Sequence, residues 1–134
     1  MAKDLKGAYA EIYGKFQAVH NGKAANYKDL VDAMDPNVIV KRVRVADVLF
    51  GAAAVEKYLD RSMYGRHCHF ENVKKTYWTK NNGLYGIVTG QGDYYDDDNE
   101  VNPTPVTFTW CFSRPTTKDD WVLVNVFGAP IGSP

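Results

Sequence analysis

Between Val106 and Ser113 the chain alternates strictly: Val106, Phe108, Trp110 and Phe112 occupy one set of positions, Thr107, Thr109, Cys111 and Ser113 the other. Successive side chains of a strand point to opposite faces, so this stretch predicts a strand with three rings and a valine on one side and small or polar groups on the other. The bulky side has to be buried against something. The first half of the chain supplies it. Leu5, Ala8, Tyr9, Ile12, Tyr13, Phe16, Val19 and His20 recur at steps of three and four, the pattern of an amphipathic helix ending near Asn21-Gly22.

The remaining elements follow from punctuation. Asn26 and Asp29 resemble a helix cap, and Tyr27, Leu30, Val31 and Met34 extend a short second helix that Asp35-Pro36 stops. Val38–Val45 switches to period two, with Val38, Val40, Arg42 and Arg44 on one face. After Phe50-Gly51 the spacing of Val55, Tyr58 and Leu59 predicts a third helix over Ala52–Met63. From Cys68 onward the chain reads as four antiparallel strands, the first two joined at Asn81-Asn82-Gly83, which supplies the positive φ of a tight turn. The acidic, proline-bearing stretch from Asp96 to Pro105 reads as a solvated loop. On the last strand Trp121, Leu123, Asn125 and Phe127 oppose Val122, Val124 and Val126. Helices are segregated from strands without a linker or repeat, so residues 1–134 form a single α+β domain.

Composition narrows the partners. With 16 basic and 16 acidic residues there is no stripe of Lys and Arg to meet nucleic acid. No apolar run is long enough for a signal peptide or a membrane span, so a cytoplasmic location is expected. Cys68 and Cys111 are expected to be free thiols. No cofactor is expected. In Gly65-Arg66-His67-Cys68-His69-Phe70 the two imidazoles have the spacing of an H-x-H pair, but a catalytic zinc needs a third protein ligand and no motif supplies one.

The order of elements resembles the nuclear-transport-factor-2-like superfamily. The resemblance rests on the two opening helices, Asp35-Pro36-Asn37-Val38 before the first strand, Phe50-Gly51-Ala52-Ala53-Ala54-Val55 opening the third helix, and Asp120-Trp121-Val122-Leu123 near the end. It implies a cone: a curved antiparallel sheet wrapped around three N-terminal helices, with a pocket at the open end. It also implies a homodimer through the outer sheet face. It leaves the chemistry open, because the superfamily holds isomerases, dehydratases, cyclases and plain binding modules.

On that scaffold the expected ligand is a small apolar organic molecule. Phe16, Val40, Tyr58, Phe108, Trp110, Leu123 and Phe127 are candidate wall residues, with Asp93 near the mouth. His69 is the candidate acid-base group. The His69-Phe70 pair matches that of scytalone-type dehydratases, and imidazole both takes and gives a proton near neutrality. Asn125, Arg42 and Tyr13 are its candidate polar partners. Arg42 stands where the ketosteroid isomerases carry their base aspartate, and a guanidinium cannot accept that proton; it either binds a carboxylate in the pocket or reaches solvent. The alternative to an acid-base lyase, isomerase or cyclase is a non-catalytic carrier or dimerisation module.

Overall fold

The computed structural model describes residues 4–20, 28–41, 48–58, 68–96 and 103–131, apart from the side chains of Val19, His20, Tyr58, Cys68, His69 and Asp96. Helix α1 spans Leu5–His20, α2 Lys28–Asp32 and α3 Ala52–Tyr58. The strands are β1 Met34–Lys41, β2 Val48–Phe50, β3 Cys68–Lys80, β4 Tyr85–Asp96, β5 Thr104–Ser113 and β6 Val122–Pro130. They form one curved, unclosed sheet in the order β2-β1-β6-β5-β4-β3. The expected α+β architecture is present, with one correction. The sheet is mixed, because β1 runs parallel to β6 while every other neighbouring pair is antiparallel.

Asp4 starts α1: its carboxylate accepts from the Gly7 N–H at 2.8 Å, filling one of the orphan donors of the first turn. The buried face of α1 is Leu5, Ala8, Tyr9 and Ile12, as the helical spacing predicts. The second helix ends at Asp32, two residues before the expected Met34. Met34 instead pairs with Leu123, so sheet pairing takes that residue from the helix. Asp35 then accepts from the Asn37 N–H at 2.8 Å, a local turn inside an irregular stretch of β1. Strand β2 was not anticipated; three residues give no readable alternation. The Asn26 cap, the continuation of the third helix over 59–63 and the acidic residues 97–102 lie outside the described residues.

Asn81, Asn82 and Gly83 all have positive φ, at 54°, 55° and 83°, and join β3 to β4 as the sequence predicts. Along β4 the concave-side positions are Gly86, Val88, Gly90, Gly92 and Tyr94. Three lack a side chain, which allows close approach: a Cβ on Gly86 would lie 2.6 Å from Leu5 Cδ1, and one on Gly90 2.1 Å from the Lys74 carbonyl oxygen. The core of Leu30, Val38, Val88, Phe112 and Leu123 fills the closed end of the cone.

Candidate functional site

Val106, Phe108, Trp110 and Phe112 are all buried on the concave face, as their alternation requires. Two bulges decide what else points inward. On β6, Cys111 pairs with Asn125 but Phe112 with Leu123, so Val124 is an extra residue. The inward set becomes Leu123, Val126 and Gly128, and Asn125 falls on the outer face beside Cys111 and Ile39. This corrects the expectation that Asn125 shares a face with Trp121. On β3, Glu71 pairs with Asp93 and Lys74 with Gln91, a bulge at which Asn72 has φ 54°. It turns Val73, Lys75 and Tyr77 toward the helices.

The result is an aromatic cavity in two lobes that share Tyr13, Phe70, Phe108 and Trp110. The larger, about 200 Å³, is completed by Tyr9, Val73 and Lys75. The smaller, about 50 Å³, reaches the rim through Phe16, Val40, Lys41, Tyr94, Val126, Phe127 and Gly128. Trp110 is the hub, 4.9 Å from the Tyr9 ring centre in an edge-on contact, 6.1 Å from Phe16 and 6.4 Å from Tyr13. Phe70 closes the opposite wall, 5.3 Å from Tyr94 and 6.3 Å from Tyr13.

Polar groups in this wall are few. Gln17 Nε2 donates to the Tyr13 hydroxyl at 3.0 Å. Burial above all, and then the neighbouring phenols of Tyr13 and Tyr77, push Tyr9 well above its ordinary value, so it stays a protonated hydrogen-bond donor. Lys75 Nζ lies 5.4 Å from the Tyr9 ring centre. At the rim Lys41 Nζ donates to the Gly128 carbonyl at 3.3 Å and sits 5.7 Å from the Phe127 ring centre.

The structure thus brings together Tyr13, Phe16, Val40, Phe108 and Trp110, and sets other candidates apart. Leu123 is buried in the closed end and does not line the cavity. Phe127, whose ladder partner is Thr109 and which is 43% exposed, borders the small lobe at its rim. Asp93 alternates with the buried Tyr94 and accepts from Asn72 Nδ2 at 2.9 Å on the other face; it is not at the mouth. Arg42 and His67, and the side chains of Tyr58, Cys68 and His69, lie outside the described residues; the His69 backbone pairs with Tyr95. Sequence reasoning missed Tyr9, Lys41, Phe70, Val73, Lys75, Tyr94, Val126 and Gly128 as wall residues. Only the Asn72 bulge, invisible without its backbone, would have revealed Val73 and Lys75.

A second hollow of about 320 Å³ lies between α1, α2 and the start of β6, where Glu11, Asp29, Asp32 and Asp120 face solvent. Among the described residues no group of three or more His, Cys, Asp or Glu side chains is placed to hold a metal ion, and no helix is long and apolar enough to cross a membrane. Cys111 is a free, buried thiol.

No protein-family model matches the chain, and no curated protein matches it. Solved structures do. Nuclear transport factor 2 from Cryptosporidium parvum superposes with a TM-score of 0.69 at 16% identity, covering 93% of this chain and 90% of that one. A Thiobacillus denitrificans protein assigned as a calcium/calmodulin-dependent protein kinase type II association domain gives 0.68 at 16%, covering 98% of both. A Streptomyces avermitilis protein assigned as a dehydratase of the NTF2-like family gives 0.65 at 17%, covering 96% and 97%. At these identities the likeness concerns the fold, and with the curved sheet, the three helices and their order it leads to one conclusion: the chain has the cone-shaped α+β fold of the nuclear-transport-factor-2-like superfamily.

Proposed function

We propose that the chain binds a small apolar organic molecule in the larger lobe of the cone. The observation that carries this reading is a concave hollow of about 200 Å³ walled by Tyr9, Tyr13, Phe70, Val73, Phe108 and Trp110. A hollow below the ~300–1,000 Å³ of drug-sized sites suits a ligand of one ring or two. Neighbours of the same fold assigned as a ketosteroid isomerase and a dehydratase make lyase or isomerase chemistry compatible with such a pocket. The proposed acid-base group for that chemistry is His69, with Tyr13 as a hydroxyl partner. Titration with phenylethanol, followed by amide chemical shifts, should show saturable binding. Val73→Trp, which fills the lobe from β3, should weaken it at least about tenfold, the cost of excluding a single ring. Equal affinity in the variant would place the ligand elsewhere and defeat the reading.

A second reading, self-association through the outer face, is favoured by one observation. Paired positions Trp78, Ile87, Cys111, Asn125, Ile39 and Phe50 form a row across all six strands. At its ends Phe50 is 71% and Trp78 52% exposed. Ile39, Val48 and Phe127, also exposed, stand beside Phe50 on β1, β2 and β6, so the exposed apolar side chains cluster at that edge, with the buried Cys111 between them and Trp78; such clusters on a sheet face mark association surfaces. The occupant we favour is a second copy, whose identical face meets this one across a two-fold axis. The similar structure assigned as an association domain accords with this. Light scattering should give a dimer mass, and Phe50→Asp, which disturbs no buried contact, should give a monomer. A monomeric wild type would refute it.

A further inference from the structure

The larger lobe carries a polar pair that an apolar ligand does not use. Tyr9 is 5% exposed, lines the lobe, and has no hydrogen-bond partner for its hydroxyl among the described residues. The hydroxyl is not among the fully buried unpaired atoms, so it keeps contact with solvent at the lobe, and an acceptor entering there can take the place of water on it. Lys75 lines the same lobe with its ammonium over the Tyr9 ring, and among the described residues it has no carboxylate partner. The other lobe has a lysine too, Lys41, and among the described residues lining either lobe there is no Asp or Glu. The two carboxylates nearest in register on β3 and β4, Glu71 and Asp93, occupy opposed ladder positions on the other face, where Asp93 accepts from Asn72. The hollow is therefore aromatic on its walls and cationic at its edge.

We infer that the ligand is an aromatic or other apolar acid whose carboxylate is held by the Lys75 ammonium and the Tyr9 hydroxyl, with its ring against Trp110 and Phe108. This rests on the cavity reading above and adds the ligand's charge to it. The ammonium and the phenol hydroxyl can both donate to one oxygen, and such bonds are stronger when that oxygen is charged, so the pair favours a carboxylate over a neutral hydroxyl. Because Lys75 is exposed, solvent screens part of the attraction, and the preference should fall as salt is added.

The test compares phenylacetate with phenylethanol, which share a ring and a two-carbon chain and differ in charge. The full chain should bind phenylacetate about tenfold more tightly at low salt, the effect of one partly screened charge-assisted contact. Lys75→Met, which keeps the aliphatic stem and removes the charge, should abolish the difference, and Lys75→Arg should keep most of it. Equal binding of the two probes by the wild type overturns the inference and leaves the apolar cavity standing. A preference that survives in Lys75→Met overturns the assignment to this lysine. If neither probe binds, the cavity reading and this inference fall together.

Discussion

Gly90→Ala is expected to lower the stability of the domain by about 3 kcal/mol, at the upper end of what overpacking costs. The added methyl would sit 2.1 Å from the Lys74 carbonyl oxygen, 2.9 Å from Lys75 Cα and 3.0 Å from the Lys74 carbonyl carbon. All three atoms are backbone, so no side chain can swing aside; the β3 bulge itself must move. Because that bulge also aims Val73 and Lys75 into the cavity, any surviving fold should bind ligand poorly. Thermal unfolding checks this, with a Tm roughly 10 °C lower for a domain of this size. Gly14→Ala is the control. Nothing lies within 4 Å of a Cβ there, so on an exposed turn of α1 the same substitution should stabilise by up to about 1 kcal/mol. Equal melting of Gly90→Ala and wild type would mean that β3 and β4 do not approach as described.

Trp110→Ala should cost about 3–5 kcal/mol in denaturant unfolding, the usual range for deleting a buried large aromatic. Trp110 is buried and touches the rings of Tyr9, Tyr13, Phe16 and Phe112, which come from α1 and from its own strand. It therefore links the first helix to the concave face. Phe127→Ala makes the contrast. Its ring is 43% exposed at the rim, beside Lys41, and the loss should stay below about 1 kcal/mol, as for exposed contacts. Similar losses for the two variants would contradict the assignment of Trp110 to the inner surface and Phe127 to the exposed rim.

That contrast shows what could be read from the sequence. On β5 the rings at 108, 110 and 112 declare the inner face, and no irregularity interrupts the alternation within that strand. The turn at Asn81-Asn82-Gly83 was equally plain, because only residues tolerant of positive φ cluster there. The last strand misled for a physical reason. Val124 is one valine among several, and nothing in its chemistry marks the bulge that sends Asn125 and Phe127 outward. The same loss of parity at Asn72 hid Lys75. The sequence shows only an asparagine there, a residue common in ordinary strand ends as well, and its positive φ is visible in the backbone alone. The parallel pairing of β1 with β6 joins residues about ninety apart and leaves no local trace at all. Thus the helices, the hairpin and the inner face of β5 were legible, whereas the register of β3 and β6, on which half the candidate site depended, was not.

The central claim is that the concave face encloses the ligand site. The direct measurement is a set of intermolecular nuclear Overhauser contacts from a saturating aromatic probe, phenylacetate or phenylethanol, to isotope-labelled protein. The account predicts contacts to the rings of Trp110, Phe108 and Tyr13 and to the Val73 methyls. Contacts confined to Ile39, Phe50 and Trp78 on the outer face, with none to Trp110, would contradict it.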